Sequence, residues 1–436
     1  MSWIVLVRSL GLMLPLVLTV AVVAWRRGHR RRTLGGFLAA AWNAPALLAL
    51  NVLAARVGWW RFEVEGGTLL GVPVDLWLAW CLLWGPLPAL LLRRWPLPVV
   101  LGLLLGVDVL LMPWCAPVVV LGPGWLWGEA LALAVCALPG LLLARWTRDD
   151  AQLGPRVLLL AGAFAGLTLG VVPAAVLQET GGSWGSLSAL TGTQLAVTIQ
   201  LLLLVAVPAL SAVQEFAERG GGTPLPYDPP RVLIRSGPYA YLANPMQTFM
   251  AALLVAWGGV LHSAPVALAG AMTVAFGASV AAWQERGQLS RRYGEAWSSY
   301  RGGVRAFVPR WRPHAPPPAT LYYAADCGPC EQLMRWLSRK QPAGVRFVPA
   351  QQHPSRDLAR VTYAADDGLL EAEGLIAVLR VLEHVNLLWA YLSWLLRLPG
   401  ISHVARVLSD VASGGPNLVP RTGPSLEGGD EAARTG

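Results

Sequence analysis

Two cysteines near the end of the chain have the spacing of a redox pair. Cys327 and Cys330 enclose Gly-Pro, between a short β-type run ending at Tyr323 and an amphipathic stretch, Glu331–Arg339, that predicts a helix. Because a helix N-terminus stabilises a thiolate, we expect Cys327 to be the attacking sulfur and Cys330 the resolving one. Strand, C-x-x-C and helix in this order predict thiol-disulfide chemistry.

Zinc binding is the other chemistry that a C-x-x-C pair can serve. A structural zinc ion needs four ligands, and the sequence has neither a second C-x-x-C nor an H-x-x-H. His353, His384 and His403 are scattered through the same region, which is more typical of surface or packing residues. Redox chemistry is therefore favoured, no metal site is predicted, and a pair without function remains the other alternative.

A second group of polar residues brackets a predicted helical hairpin. Residues 231–247 place aromatics, an amide and two prolines at its entry, and Glu285 lies where it ends. We expect Asn244 and Glu285 to face each other at the membrane interface, where a carboxylate can bind a ribose diol, an amino group or a cation. Polar residues at this depth are costly unless they are used or paired. The pattern thus predicts a binding site at one end of the hairpin.

The composition indicates that both groups belong to a membrane protein. The 436 residues are 55% apolar and 14% charged, against about 25% charged in a typical soluble domain. The mean hydropathy is +0.50. Twenty-one tryptophans suit a chain with many membrane–water interfaces. A water-soluble chain and a disordered chain are both excluded, and a polytopic membrane protein is predicted.

The net charge of +9 comes from arginines in short clusters between apolar runs. This arrangement is typical of cytoplasmic membrane loops, so no nucleic-acid partner is expected. Lys340 is the lone lysine among 34 basic residues, a bias that points to a GC-rich bacterial genome and hence to the bacterial inner membrane. The remaining cysteines read as apolar packing residues, not as a secreted disulfide scaffold. They are Cys81, Cys115 and Cys136.

Nine apolar stretches are long enough, at about 20 residues each, to span a bilayer as helices. They cover residues 3–25, 34–55, 68–92, 97–121, 125–144, 157–178, 194–213, 245–262 and 265–283. The first lacks a basic leading region and a small-residue cleavage site, which favours a retained helix over a signal peptide. Arginines follow the first, third, fifth and seventh stretches, which predicts an outside N-terminus and a cytoplasmic C-terminus. They are Arg26, Arg27, Arg30, Arg31, Arg32, Arg93, Arg94, Arg145, Arg148, Arg156, Arg231 and Arg235.

The residues around the hairpin resemble the isoprenylcysteine carboxyl methyltransferase and phospholipid methyltransferase superfamily of membrane enzymes. The resemblance covers about residues 195–312. The matching positions are Gly237, Pro238, Tyr239, Tyr241, Asn244, Pro245 and Met246 before the hairpin, and Glu285, Leu289, Gly294, Tyr300, Val304 and Pro309 after it. Departures at Ala243, Gln247, Ala281 and Arg286 argue against a prenylcysteine carboxylate as the acceptor.

This resemblance implies binding of S-adenosylmethionine and methyl transfer to a lipophilic acceptor that arrives from the lipid bilayer. The positions that carry the family's donor-binding residues are Arg231, Val232, Leu233, Ile234, Tyr239, Asn244, Pro245, Met246, Gln247 and Glu285. Proximity and desolvation can lower the barrier for such an in-line transfer with little acid–base help. An isoprenoid, a quinone-like molecule or a phospholipid-like molecule would suit as acceptor.

Residues 319–412 resemble the DCC family of thioredoxin-like thiol-disulfide oxidoreductases. Tyr323, Asp326, Cys327 and Cys330 match the family's opening motif, whereas Ala324 and Ala325 replace its Asp-Gly. Later matches are the turn at Asp366, Asp367 and Gly368, the helix start at Gly374, and the run Leu398–Ile401. The resemblance implies a redox pair at Cys327 and Cys330 that exchanges electrons with a thiol reductant.

The predicted fold class is an all-α polytopic membrane protein of about nine transmembrane helices with a C-terminal cytoplasmic α/β domain of thioredoxin-like fold. Residues 1–193 form a membrane domain of about six spans, and 194–313 form the methyltransferase-like core. A Pro-rich linker at 314–318 precedes the thioredoxin-like domain at 319–413, and 414–436 is a predicted disordered tail.

Three functions follow from these features. The first is a membrane methyltransferase with an appended redox domain. The alternative is a membrane-anchored thiol-disulfide oxidoreductase whose methyltransferase-like part is an inactive scaffold. A transporter or binding protein is the third, and it depends on the extra spans and on Asp108, which lies in the middle of an apolar run. We expect Asp108 to make a structural hydrogen bond more than a substrate contact.

Overall fold

The computed structural model describes residues 3–25, 30–223, 230–413, 415–416 and 418–420. The side chains at 280–286, 288, 412 and 413 are outside this description. The chain forms two compact units. One contains residues 1–195 with 254–269, and the other contains 196–253 with 270–436.

The first unit is a bundle of apolar helices. Its helices are α1 (Trp3–Trp25), α2 (Arg30–Val57), α3 (Val74–Trp84), α4 (Pro86–Leu91), α5 (Leu97–Leu111), α6 (Trp125–Ala132), α7 (Leu138–Asp149), α8 (Leu153–Gly166), α9 (Val172–Glu179) and α10 (Gly185–Ser188). Small residues let two of these helices approach closely, as is usual inside membranes. A Cβ on Gly35 of α2 would lie 2.7 Å from the Ala144 carbonyl oxygen of α7.

Short strands join the helices at one end of this bundle. They are β1 (Trp60–Phe62), β2 (Thr68–Leu69), β3 (Val72–Pro73) and β4 (Val119–Leu121). β1 pairs antiparallel with β4, and β2 pairs antiparallel with β3. Ladder hydrogen bonds thus satisfy backbone groups in connections that the sequence suggested were plain loops or parts of spans.

Seven helices within the described residues are long and apolar enough to cross a membrane, which gives a multi-pass membrane architecture. They are Trp3–Trp25, Arg30–Val57, Val74–Leu91, Leu97–Cys115, Trp125–Asp149, Leu153–Glu179 and Gly192–Gly220. The eighth and ninth predicted spans correspond to shorter apolar helices. A helix such as Pro245–Val260 is about 24 Å long at 1.5 Å per residue, less than the ~30 Å hydrocarbon core. The count of nine is therefore not confirmed within the described residues.

The second unit begins within a long helix, and the tip of the hairpin, residues 254–269, belongs to the first unit. Before its C-terminal domain the second unit contains most of α11 (Gly192–Gly220), the first half of α12 (Pro245–Val260), the second half of α13 (Ala264–Phe276) and α14 (Ala282–Gly303). Gly294 has φ +53°, which bends α14 in its middle. A residue without Cβ tolerates that backbone conformation, so the predicted motif glycine has a structural reason.

The C-terminal domain, residues 319–413, contains a four-stranded sheet. The strands are β5 (Ala319–Tyr323), β6 (Val345–Pro349), β7 (Thr362–Ala365) and β8 (Glu371–Glu373). Their order is β6-β5-β7-β8. β5 and β6 are parallel, whereas β7 is antiparallel to both β5 and β8. The parallel pair requires a crossover connection, and α15 (Gly328–Arg339) provides it.

Helices cover this sheet and extend its core. They are α15, α16 (Leu375–Leu382), α17 (Leu387–Arg397) and α18 (Ile401–Ser413). Leu321 of β5, Leu337 of α15 and Val381 of α16 are fully buried in one apolar cluster. In the predicted disordered tail, Val419 donates a backbone hydrogen bond to the Leu358 carbonyl at 2.8 Å, so the chain is still paired there. Residues 421–436 lie outside the described part of the chain.

Candidate functional site

The two cysteines of the C-x-x-C motif lie at the start of α15, directly after β5. Cys327 is the N-cap of this helix, and its sulfur accepts a hydrogen bond from the Cys330 backbone N–H at 3.3 Å. The two residues form a disulfide across a Cα–Cα distance of 5.2 Å. Both are partly exposed. An accessible pair at a helix N-terminus can exchange electrons with an external thiol or disulfide, because the helix dipole stabilises the thiolate.

A short turn after β6 lies beside the cysteines. Gln351 in this turn donates through Nε2 to Oδ2 of Asp326 at 3.0 Å. The neighbouring His353 ring packs edge-on against Tyr322, with the ring centres 4.7 Å apart. The hydrogen bond from Gln351 orients the Asp326 carboxylate, which immediately precedes Cys327. A negative charge at this place opposes formation of the Cys327 thiolate.

A set of charged side chains, four of them buried, joins α11 to the C-terminal domain. This ion network consists of Glu215 and Glu218 of α11, Arg380 of α16, Glu383 after α16, and Arg397 of α17. Arg380 contacts the Glu215 carboxylate at 2.5 Å, Glu218 at 2.6 Å and Glu383 at 3.2 Å. Arg397 contacts Glu383 at 2.5 Å and Glu218 at 3.0 Å. Glu215 and Glu218 are almost one helical turn apart and so face the same side of α11.

Four of the five side chains of the ion network are buried, and Glu218 lies at its exposed edge. The side chain of Arg380 is 2% exposed and that of Glu215 is 0% exposed. Burial alone would lower the pKa of Arg380, but the carboxylates of Glu215, Glu383 and Glu218 outweigh burial and raise it. Ser236 and Ser393 also donate hydroxyl hydrogen bonds to Glu215 and Glu383 respectively. Removing one member would leave an uncompensated buried charge.

Hydrogen bonds outside the network reinforce the same attachment. The Tyr241 hydroxyl donates to the Glu383 carbonyl at 2.8 Å, and the Tyr241 ring packs edge-on against Trp394 at 5.7 Å. Arg219 of α11 pairs with Asp367 between β7 and β8. The predicted motif residue Tyr241 and the predicted turn residue Asp367 thus both bind across this attachment.

Four of the predicted donor-binding residues pack in apolar clusters. Ile234 and Tyr239 are buried together with Ala212, and Met246 packs against them. A separate cluster of Trp297, Tyr300 and Val304 receives Leu233. Arg231 is exposed, Pro245 is buried, and Val232 and Asn244 are intermediate.

The two halves of the hairpin motif meet through hydrogen bonds. The Tyr300 hydroxyl donates to the Tyr239 carbonyl at 2.8 Å. The backbone N–H groups of Ala243 and Asn244 donate to the carbonyls of Arg305 and Ala306 at 3.0 and 3.2 Å. The side chains of Glu285, Ala281 and Arg286 lie outside the described residues, so the proposed pairing of Asn244 with Glu285 stays a prediction.

Gln247 replaces the last tyrosine of the family motif. Its side-chain oxygen is buried without a hydrogen-bond partner, and a Cβ on Gly277 would lie 2.7 Å from that oxygen. A ribose hydroxyl or an adenine amino group could donate to it.

Acidic residues of the first unit have local partners. Asp108 is 4% exposed and accepts a hydrogen bond from the Trp84 indole at 3.0 Å. Asp75 pairs with Arg8 at 2.6 Å. Asp108 thus makes the structural hydrogen bond that the sequence favoured, and nothing here assigns it a substrate.

The sequence interpretation missed the ion network. Its one visible signal was Arg380 within the otherwise apolar stretch LIAVLRVL, because a charge on such a helix face needs a partner. The partners on α11 lie 162 and 165 residues away, too far for any motif to reveal.

Neither a curated protein nor a solved structure matches the chain. No family match supports the methyltransferase resemblance of residues 195–312, which rests on the motif alone. Residues 321–413 match the DCC1-like thiol-disulfide oxidoreductase family, and this stretch contains the Cys327–Cys330 pair and the basic half of the ion network. The C-terminal part of the chain is accordingly a DCC1-like thiol-disulfide oxidoreductase domain.

Proposed function

We propose that the protein is a membrane-tethered thiol-disulfide oxidoreductase with a C-terminal domain of thioredoxin-like fold. The observation that carries this proposal is the partly exposed Cys327–Cys330 pair at the N-terminus of α15. The β5-α15-β6 unit followed by the antiparallel β7 and β8 supports the fold assignment, since it places the pair at the end of a central strand.

The exchange proceeds through a mixed disulfide. In the reduced protein, the Cys327 thiolate attacks one sulfur of a partner disulfide, which releases the other sulfur as a thiolate. The Cys330 thiolate then attacks the Cys327 sulfur, restores the intramolecular disulfide and releases the partner's second thiolate. Two electrons pass to the partner, whose thiolates take up the two protons that the cysteines lose. A thiol reductant returns the pair to its dithiol form by the reverse steps.

The ion network would hold this chemistry close to the membrane. Arg380 and Arg397 attach the C-terminal domain to α11, a helix of membrane-spanning length. A partner at or near the cytoplasmic surface of a bacterial inner membrane would then meet the pair at a restricted distance, which raises its effective concentration.

A disulfide reagent that releases a coloured thiolate tests the function. The full-length protein would carry Cys115→Ser, because Cys115 is partly exposed whereas Cys81 and Cys136 are buried. We expect the reduced protein to release two equivalents of thiolate rapidly. Cys330→Ser in this background should release one and retain the other half of the reagent covalently.

The attacking role belongs to Cys327 if Cys327→Ser reacts at least about tenfold more slowly than the parent, because that residue holds the helix N-terminal position. Equal rates for the two single variants would contradict the assignment of roles. A parent protein that reacts no faster than an unfolded thiol would contradict the proposed function.

Methyl transfer to a lipophilic acceptor is a second candidate, favoured by the hydrogen bonds between the two motif halves, from Tyr300 to Tyr239 and from Asn244 to Ala306. S-adenosylmethionine would supply the methyl group. Gln247, whose amide oxygen is buried and unpaired, would accept a hydrogen bond from the donor, and Glu285 would bind its ribose or amino group. Arg231, Val232, Leu233, Ile234, Tyr239, Asn244, Pro245 and Met246 would form the rest of that site.

Calorimetric titration of the detergent-purified protein with S-adenosylmethionine separates the two functions. Binding in the micromolar range that is lost in Glu285→Gln and kept in Glu295→Gln would support the methyltransferase. Glu295 is an exposed carboxylate on the same helix, so this control removes an equal charge. Absence of binding by folded protein would leave the oxidoreductase alone.

A further inference from the structure

Two helix ends and one connection of the first unit bring arginines to one cavity. This basic cavity, of about 760 Å³, is lined by Arg30, Arg31 and Arg32 at the start of α2, Arg93 and Arg94 between α4 and α5, and Arg148 and Asp149 at the end of α7. From the sequence alone, these arginines indicate only which ends of the predicted spans are cytoplasmic. That signal requires arginine in each loop, but it does not require the loops to surround a common space.

Hydrogen bonds from α7 fix one wall of the basic cavity. Arg148 donates through Nη1 to the Arg93 carbonyl at 2.9 Å, and Arg145 donates through Nη2 to the Trp95 carbonyl at 2.6 Å. The connection between α4 and α5 is therefore fastened to the end of α7. This wall is therefore ordered before any ligand binds, which lowers the ordering cost of binding.

The positive charges of the cavity exceed the negative charges on its walls. Six arginines against one aspartate leave a formal charge of +5. Asp149 is engaged by Arg148 through two hydrogen bonds of 2.6 and 2.7 Å. Just outside, Asp150 pairs with both Arg31 and Arg156 at 3.1 Å. Arginines held this close repel one another, so an anion bound among them would be stabilised.

The guanidinium groups that line the cavity favour a phosphate ligand over a carboxylate ligand. A guanidinium is planar and binds two oxygens of a phosphate at once, and several such groups around one space suit an anion with many oxygens. A carboxylate ligand carries one charge and two oxygens and would leave most of these donors unused. The cavity volume lies in the range of small-molecule sites.

A crevice of about 10 Å³ adjoins the cavity and is too small for more than a water molecule. It shares Arg32, Arg93 and Arg148 with the cavity. The arginines of the cavity itself therefore define the ligand. From these observations we propose that the basic cavity binds the phosphate group of a small ligand, either a phospholipid head group or a free phosphate compound.

The test uses full-length protein, stripped of lipid in a neutral detergent, and two probes. Phosphatidylglycerol, compared with phosphatidylcholine, probes the lipid source by native mass spectrometry, and inorganic pyrophosphate probes the free source by calorimetry. The variant is Arg30→Gln with Arg94→Gln, since both side chains are exposed. Arg56→Gln with Arg61→Gln removes the same charge from exposed positions outside the cavity lining and serves as control.

We expect the cavity variant to bind its probe at least about tenfold more weakly than wild type, because it lacks two of the six positive charges that attract the anionic group. The control should bind like wild type, and both variants should melt like wild type. If the cavity variant loses binding of phosphatidylglycerol alone, the ligand is a phospholipid head group. If it loses binding of pyrophosphate, the ligand is a free phosphate compound. Binding of neither probe by wild type, or equal binding by the cavity variant and the control, would overturn the proposal.

Discussion

Arg380 Nη1 lies 2.5 Å from Glu215 Oε2, although 165 residues separate them along the chain. Both side chains are almost fully buried, so water contributes little to stabilising either charge. Their pairing is one of the contacts that join α11 to the C-terminal domain, and breaking it would leave an isolated buried ion, which costs several kcal/mol. A redox domain attached in this way is fixed to the membrane segment, not connected to it by the linker alone.

Replacing Arg380 should therefore damage the second unit severely. Arg380→Gln keeps much of the side-chain volume but removes the cation closest to Glu215, which is left with Arg397 at 3.7 Å. We expect a loss of about 3–5 kcal/mol in the free energy of unfolding. Thermal unfolding of the detergent-purified chain and its susceptibility to limited proteolysis would measure this loss.

Arg335→Gln is the matched control for that substitution. Arg335 is 62% exposed and lies 3.8 Å from Glu331, a surface pair whose contribution is expected to be below about 1 kcal/mol. If the two variants melted at the same temperature, the ion network would not have the role assigned to it.

The position of Glu215 in the ion network explains why residue 237 is a glycine. Its φ is +55°, and a Cβ there would lie 3.1 Å from Cγ and Cδ of Glu215. We expect Gly237→Ala to destabilise the protein by about 1–2 kcal/mol, through backbone strain and displacement of the carboxylate. Gly302→Ala, whose Cβ would meet nothing within 4 Å, should leave the melting temperature unchanged or raise it slightly. Equal effects of the two substitutions would contradict this explanation.

The sequence predicted the structure best around the C-x-x-C motif, where neighbouring residues determine both the chemistry and the secondary structure. The predicted run Leu321–Tyr323 lies within β5, and the predicted helix at Glu331–Arg339 lies within α15, because strand, N-cap and amphipathic helix are all local signals. The match of residues 321–413 to an oxidoreductase family supports the function that the sequence ranked second.

Relationships between distant residues could not be predicted in the same way. Glu215 and Glu218 at the end of a span look like an ordinary polar helix end, and only the fold brings Arg380 and Arg397 to them. The same holds for the basic cavity. Each of its three arginine-bearing segments can be recognised in the sequence, but only the packing of the helices brings them around a common space. Span counting was limited in another way, because apolar length does not reveal where a helix ends.

Asp326 should moderate the reactivity of Cys327. Its carboxylate is exposed, accepts a hydrogen bond from Gln351 and immediately precedes the attacking sulfur. Asp326→Asn removes a charge that opposes the thiolate, so we expect about threefold faster alkylation of the reduced protein by iodoacetamide at neutral pH. Asp357→Asn, which removes an exposed charge outside this turn, should alkylate at the wild-type rate. Slower or unchanged alkylation of the Asp326 variant would refute this role.

His384 should make the stability of the second unit depend on pH. Burial lowers the pKa of His384 in the folded protein. Its Nδ1–H donates to the Ala343 carbonyl at 2.7 Å, which leaves Nε2 to accept from the Tyr363 hydroxyl at 3.0 Å. Both contacts fit the neutral ring, and the nearby Arg380 and Arg219 also disfavour a positive charge, whereas Glu383 favours one.

The sign of the pH dependence follows from the lowered pKa of His384. Below its ordinary value of about 6.5 the unfolded chain binds a proton that the folded chain does not. The free energy of unfolding should therefore fall as the pH drops below about 6.5, with a slope approaching 1.4 kcal/mol per pH unit. His384→Asn should remove that slope, and His403→Asn, at an exposed position, should retain it. Thermal unfolding between pH 7.5 and 5.5 measures all three proteins, and parallel curves for wild type and His384→Asn would show that another group titrates.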